Sequence, residues 1–309
     1  MTDLLHKALN GLWALAEDRR RGAAEIADRA AALLERYLER VQSDDPRLSY
    51  ALAELAEATL RVQPSMAPLV NLANRLQLAA EGERFPVRQM RAELEKFRRH
   101  QQQASEKIAR LFAARLPRRA TVMTYTYSST VLAALLAGRR RISRIIVSEA
   151  RPLLEGHTVA KQLAEAGLPV TLVVDAALGE HVRAADVVVV GADAVFEGTY
   201  FNKLGTRILQ EQARAVRKPF YVLADTAKFV PPALATWMRV EDKPPAEVWK
   251  EAPRGVTVVN RYFEVIQLER FVTLLCERGM MPMGRLRAWV EHMPVARRWQ
   301  ENPSAGGSW

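Results

Sequence analysis

The chain has 309 residues, 49% hydrophobic and 26% charged, which is ordinary for a globular protein of about two domains. The single cysteine, Cys276, excludes a disulfide framework and a multi-cysteine metal site. The net charge of +10 has two interpretations, either a solvated arginine-rich surface or a partner that carries phosphate groups.

The sequence also argues against secretion and membrane insertion. It contains no run of about 18 apolar residues, the length that a membrane-spanning helix requires. The first residues include Asp3, Glu17 and Asp18 among the basic residues, unlike a secretory signal. The sequence therefore predicts a cytoplasmic protein with no membrane partner.

Residues 1–116 carry helical patterns almost throughout. Apolar residues recur at steps of three and four over 23–41 and 51–63, and a long charged segment follows over 85–117. Pro64 and Pro117 mark ends of these segments. We expect a helical N-terminal domain that covers residues 1–116.

The sequence pattern changes after Pro117, where short runs of β-branched residues alternate with helical patterns. The predicted strands are 120–125, 144–149, 169–175, 185–193, 218–225 and 255–260. The predicted helices are 128–138, 156–166, 203–217 and 263–278, and Cys276 is interpreted as a core thiol on the last of them. This alternation predicts an α/β fold with a Rossmann-like, doubly wound, mostly parallel sheet over 117–300. Residues 301–309 are predicted to be a disordered tail.

Ligands of such sheets lie beyond the carboxyl ends of the strands, so the residues that follow each strand are the candidates for binding. Thr126 and Ser128 follow the first strand, and Ser128 either caps the next helix or helps to seat an anion there. Arg151 follows the second strand, where its guanidinium group suits a phosphate.

Asp193 ends the valine-rich strand, where a carboxylate needs a cation, a donor network or a ligand. Asn202 and Lys203 are expected to open the next helix, and Lys203 either pairs with Asp193 or binds a ligand. Lys228 lies near the same edge. The region has no glycine-rich dinucleotide motif and no P-loop, so we expect neither a cofactor nor a metal.

Three segments, GADAVFEGTYFNKLGT, KPFYVLADTAKF and NRYFEV, resemble the alpha, beta and delta regulatory subunits of translation initiation factor 2B. That family includes ribose-1,5-bisphosphate and methylthioribose-1-phosphate isomerases. TYTYSSTVLAAL and the segment from Ser148 to Gly179 resemble the alpha subunit in particular. Arg21, Gly22 and Ala23 resemble the phosphate loop of the isomerases.

The resemblance implies a helical domain on a Rossmann-like domain, homodimers or larger homo-oligomers, and a bound sugar phosphate. The isomerases use a Cys and an Asp, and Asp193 matches the Asp. Thr126 stands at the Cys position, and a hydroxyl group does not give up a proton at neutral pH as a thiol does.

Three hypotheses follow. The first is a regulatory protein that binds a phosphorylated sugar or nucleoside monophosphate without turnover, with a protein partner or its own assembly as the output. The second is an aldose–ketose isomerase of a phosphorylated pentose that uses Asp193. The third is RNA binding through the helical domain, which is disfavoured because the helix around residues 91–110 mixes basic and acidic residues.

Overall fold

The protein is described by a computed structural model that covers residues 2–42, 45–81 and 86–300. The predicted disordered tail, 301–309, lies outside these residues. The chain forms two compact units, and each is described by itself. The first unit contains the described residues up to 103 together with 227–239 and 287–300, and the second contains 104–226 and 240–286.

The helical prediction for the N-terminal region is confirmed. The helices are, in chain order, α1 (Thr2–Ala16), α2 (Ala23–Arg40), α3 (Leu48–Arg61), α4 (Ala67–Ala80), α5 (Pro86–Arg115), α6 (Ser129–Ala137), α7 (Glu155–Glu165), α8 (Leu178–His181), α9 (Thr206–Ala215), α10 (Pro232–Ala235), α11 (Met283–Glu291) and α12 (Arg297–Gln300). The apolar residues of α2 face the core of the first unit, as their helical spacing requires.

Two later segments of the chain, 227–239 and 287–300, belong to the first unit, although the predicted domain 1–116 does not include them. The buried Asn71 amide donates to the carbonyl groups of Ala227 and Phe229, at 2.7 and 2.8 Å. Asn74 bonds the backbone of Pro294 and Ala296, both at 2.9 Å. These amides hold the returning segments against α4.

The second unit is built on a mostly parallel sheet, as predicted. The strands are β1 (Ala120–Thr124), β2 (Ile142–Ser148), β3 (Val170–Val173), β4 (Val187–Gly191), β5 (Ala194–Val195), β6 (Thr199–Lys203), β7 (Phe220–Leu223), β8 (Phe263–Gln267), β9 (Val272–Cys276) and β10 (Gly279–Met280). Seven of them form the main sheet in the order β10-β9-β7-β4-β1-β2-β3, in which β10 is antiparallel. The parallel strands thus follow the order of a doubly wound sheet, which changes direction between β1 and β4.

A smaller antiparallel sheet has the order β5-β6-β8. Three predictions for the segments 203–217, 255–260 and 263–278 are wrong. The segment 263–278 is not a helix, because it forms β8 and β9. The predicted helix over 203–217 begins only at Thr206, so Asn202 and Lys203 lie on β6. Residues 256–260 have no regular structure, so the predicted strand 255–260 is absent.

The core of the second unit lies against the main sheet. Every residue of β4 is buried, as its run of valines predicts for a strand that is covered on both faces. Ile108 and Phe112 of α5 pack into the same cluster as the buried residues of β1, β2 and α6. The core thus holds in place the strands whose carboxyl ends carry the candidate site residues.

Candidate functional site

The sheet changes direction between β1 and β4, and in doubly wound sheets this point forms the ligand-binding crevice. Gly191, the last residue of β4, lies against Ser128, which follows β1. A Cβ atom at Gly191 would lie 2.6 Å from the Ser128 hydroxyl oxygen, so a larger residue would clash. The glycine therefore allows the N-terminus of α6 to lie close to the end of β4.

Ser128 is the N-cap residue of α6, and its hydroxyl accepts a hydrogen bond from the Val131 amide at 3.4 Å. This contact supports the capping interpretation, although it is a long hydrogen bond. Thr126, two residues earlier, is buried and has a φ of 61°, a conformation that is uncommon outside glycine. This turn places its side chain against the beginning of α7.

Lys203 is a buried lysine, and its ion partner is Glu155, the first residue of α7. The ammonium nitrogen lies 2.6 Å from the Glu155 Oε2, and 3% of the lysine side chain is exposed. The Thr126 side chain donates a hydrogen bond to the same carboxylate. The ring of Tyr262 lies 5.0 Å from the ammonium nitrogen and adds a cation–π contact. Glu155 thus brings together two of the predicted site residues, Thr126 and Lys203.

Burial raises the pKa of the Glu155 carboxyl group above its ordinary value, because the charged form loses its hydration. The attraction of Lys203 and the hydrogen bonds from Lys203 and Thr126 act in the opposite direction without cancelling this effect. A carboxyl group with a raised pKa next to a cation is typical of functional sites, although structural ion pairs also produce it.

The neighbouring polar residues of β6 have local structural partners. The Asn202 amide donates to the Thr206 hydroxyl at 2.9 Å, and that hydroxyl donates to the Lys203 carbonyl at 2.7 Å. Asp193 donates its backbone N–H to the Phe201 carbonyl at 2.8 Å. Since Ala194 pairs with Phe201, one further step in the register places Asp193 opposite Asn202.

The N-terminus of α9 is capped by a carboxylate from the smaller sheet. Glu264 of β8 accepts hydrogen bonds from the backbone amides of Gly205 and Arg207, at 2.8 and 2.9 Å. A carboxylate at this position interacts favourably with the helix dipole. The chain itself therefore supplies an anion to the N-terminus of α9, near which Lys203 was expected to bind a ligand or to pair with Asp193.

Arg151 follows β2, as predicted, but its guanidinium group is exposed and donates to the Val248 carbonyl at 3.2 Å. Its backbone N–H donates to Asp175 at 2.7 Å, and Asp175 also accepts from Ala150 and Ser148. Burial raises the pKa of the Tyr125 hydroxyl group, and the negative charges of Asp175, Glu155 and Glu264 raise it further. The sequence predicted Arg151, Lys203 and Lys228 around the carboxylate of Asp193, whereas the second unit also has the carboxylates of Asp175, Glu155 and Glu264 near Tyr125.

The other predicted ligand-binding residues belong to the first unit. Gly22 is the N-cap residue of α2 and donates its N–H to the Glu25 carboxylate at 3.2 Å. Ala23 is the first residue of that helix. The Arg21 guanidinium group forms an ion pair with Asp18 at 2.5 Å. The Arg-Gly-Ala motif thus lies at a helix N-terminus, a position that suits a phosphate. Lys228 is buried in the short helical turn after β7.

The sequence profile of the Initiation factor 2 subunit family matches residues 19–283. The chain belongs to this family. It is 32% identical to ribose 1,5-bisphosphate isomerase of Archaeoglobus fulgidus over 273 residues, which are 85% of each chain.

Two solved structures share the fold of this chain. The translation initiation factor eIF-2B of Pyrococcus horikoshii superposes with a TM-score of 0.78 at 26% identity, over 89% of this chain and 96% of the other. The tetrameric eIF2B-beta2-delta2 complex of C. thermophilum contains a chain with a TM-score of 0.70 at 20% identity, over 93% and 94%. The names of these similar proteins thus describe an isomerase, a translation initiation factor and a subunit complex.

The sequence reasoning missed Glu155, the residue that joins the candidate site of this family member. Its position after β2 was the available signal, because every residue after a parallel strand is a candidate. Among the described residues, no helix is both long and apolar enough to cross a membrane, and no group of three His, Cys, Asp or Glu side chains is placed to hold a metal ion.

Proposed function

We propose that the carboxyl edge of the main sheet binds a phosphorylated sugar or a nucleoside monophosphate without converting it. The observation that carries this proposal is the buried Lys203, whose ammonium group has Glu155 on one side and Tyr262 on another. An ammonium group has three donors, so the ion pair with Glu155 leaves capacity for a ligand oxygen. The location beside the change of strand direction supports the same site.

The other predicted residues have complementary roles in this proposal. Lys203 and Arg151 hold phosphate, whereas Thr126, Ser128, Asn202 and Asp193 contact sugar hydroxyl groups. The phosphate contacts expected of Lys228 and of Arg21, Gly22 and Ala23, which belong to the first unit, stay predictions. Thr126 stands where the isomerases have a Cys, and its hydroxyl group donates a hydrogen bond but supplies no acid at neutral pH. The absence of turnover follows from that replacement. The formation of a homodimer or a larger homo-oligomer, and the existence of a protein partner, stay predictions.

One observation favours a second candidate, an aldose–ketose isomerase. The Glu155 carboxyl group has a raised pKa and contacts Thr126, so it is an acid or base in the place where the thiol is missing. With Asp193 as its counterpart, the site would still contain two proton-transferring groups. The name of the Archaeoglobus relative points to the same reaction class.

Binding is tested by calorimetry with ribose 1,5-bisphosphate and with adenosine monophosphate, on the wild type and on Thr126→Val. Loss of one hydrogen bond to the ligand is expected to weaken binding about fivefold to tenfold, since such a bond contributes about 1 kcal/mol. Ser143→Ala is the matched control, because its hydroxyl group donates to Arg119 and Ala120 at the opposite end of the sheet. If the wild type binds neither compound, or if both variants bind equally, this site is not the binding site.

Turnover is followed in the same samples by NMR, with ribulose 1,5-bisphosphate as the expected product of an isomerase. We expect the sugar phosphate to be recovered unchanged. If it is converted, and if Asp193→Asn or Glu155→Gln abolishes the conversion, the second candidate replaces the first.

A further inference from the structure

The amino ends of the strands form the opposite edge of the main sheet, and two arginine-rich segments lie side by side there. They precede β1 and β2, which pair in parallel with Ala120 beside Ile142. The Ser143 hydroxyl donates to the Arg119 carbonyl at 2.7 Å, and the Arg141 guanidinium group donates to the Leu116 carbonyl at 2.8 Å. The two segments are therefore fixed to each other within the second unit.

Six exposed arginines occupy these segments and the start of β2, and we call them the arginine edge: Arg118, Arg119, Arg139, Arg140, Arg141 and Arg144. Within the part of the chain that the structure describes, none of the six forms an ion pair with an acidic side chain. The nearby acid is Asp186, which accepts a hydrogen bond from the Thr121 amide at 2.8 Å. Six positive charges therefore lie together, in a chain whose net charge is +10.

Several basic residues of α5, the helix for which the sequence raised RNA binding, differ in this respect. Lys96 pairs with Glu93 at 2.6 Å, and Arg98 pairs with Asp28 and Glu35, both at 2.7 Å. Neighbouring carboxylates thus compensate these charges, whereas the arginine edge lacks such compensation. Like charges that are held together repel one another, and an anionic partner removes that repulsion.

The chemistry around the arginine edge selects the class of anion. Among the described residues, the large exposed hydrophobic side chains all lie outside residues 51–171. A protein partner would need an apolar centre, and a single-stranded nucleic acid would need aromatic side chains on which bases stack. Guanidinium groups suit phosphates that are presented at regular intervals.

We propose that the arginine edge binds the phosphate backbone of a double-stranded nucleic acid, without reading its sequence. The binding is electrostatic, so each contact with a phosphate releases a counterion and makes the affinity fall with salt. This surface lies at the opposite strand ends from the candidate ligand site and does not depend on the proposed function.

The test measures fluorescence polarisation of a labelled 20-base-pair RNA duplex with the full chain, at several salt concentrations. Arg139→Gln/Arg140→Gln is expected to weaken binding about tenfold at low salt and to reduce the slope of log K against log salt by about 2. The control is Arg88→Gln/Arg91→Gln, which removes two exposed charges from α5. Thermal unfolding of both variants checks that they fold as the wild type does.

Parallel measurements with a DNA duplex, a single-stranded RNA of the same length and poly-glutamate distinguish the partners. Equal binding of the RNA and DNA duplexes would show that the surface recognises the phosphate backbone of either. Tighter binding of one duplex would identify that nucleic acid as the partner. The proposal is overturned if no duplex binds at low salt, if the control variant loses as much affinity as the test variant, or if single strands or poly-glutamate bind as tightly as duplex.

Discussion

Lys203 and Glu155 form the ion pair on which the candidate site depends, and Thr126 donates a hydrogen bond to the same carboxylate. A buried charge that loses its partner is costly, because it has already given up its hydration. We expect Lys203→Met to lower the free energy of unfolding by about 3–5 kcal/mol. Urea unfolding of the variant and the wild type measures this difference.

A double-mutant cycle tests whether the cost comes from the pair. Lys203→Met combined with Glu155→Gln is expected to lose less stability than the two single variants together, since neither charge is then left alone. Lys161→Met is the control, because Lys161 pairs with Glu165 at 3.9 Å on an exposed helix face. Its effect is expected to stay within about 1 kcal/mol. Additive losses in the cycle would contradict the coupling.

At the scale of elements, the passage from β2 into α7 places Glu155 in the site, and Gly156 makes this passage possible. A Cβ atom on Gly156 would lie 1.8 Å from the Ser148 carbonyl oxygen, which belongs to the backbone and cannot rotate away. We expect Gly156→Ala to lower the free energy of unfolding by about 2–3 kcal/mol, as overpacking does. Chemical unfolding, followed by circular dichroism, measures the loss.

Gly284 provides the matched control for this change. It lies in α11, and a Cβ atom there would meet no heavy atom within 4 Å. Gly284→Ala is therefore expected to be neutral or to stabilise the protein by up to about 1 kcal/mol, because alanine favours helix. If the two substitutions have the same effect, the close approach at Gly156 is not what limits this position.

The sequence predicted those elements whose structure depends on local pattern. β4 was recognisable because a strand that is covered on both faces is a continuous apolar run. The segment 263–278 was misassigned because Phe263, Ile266 and Phe271 recur at nearly helical spacing. Pairing with β6 and β7, which are distant in sequence, decided its structure instead.

The same limit applies to the candidate site. The positions of Thr126 and Asp193 after strands were predictable, and their roles in binding stay predictions. The partner of Lys203 depends instead on how β6 and α7 pack together. Sequence periodicity does not show how these two elements pack against each other, so Glu155 was not predicted. The sequence thus predicts which residues follow the strands, but it does not predict which side chains contact one another.

At the scale of the whole molecule, the first unit is discontinuous in sequence, and its returning segments satisfy buried polar groups of α4. Asn71 donates to the carbonyl groups of Ala227 and Phe229, and Asn74 bonds the backbone of Pro294 and Ala296. A fragment of residues 1–116 would lack all four partners. Each buried polar group without a partner costs about 1–3 kcal/mol, and the apolar surface under the missing segments would also be exposed.

We therefore expect the fragment 1–116 to retain helical circular dichroism but to unfold with little cooperativity, at a lower urea concentration than the full chain. A three-piece variant that joins residues 1–103, 227–239 and 287–309 through glycine–serine linkers is the matched comparison. Because it restores the partners of Asn71 and Asn74, it is expected to unfold more cooperatively than the simple fragment. A steep transition in 1–116 alone, equal to that of the three-piece variant, would mean that the helical domain ends near residue 116 and does not need the returning segments.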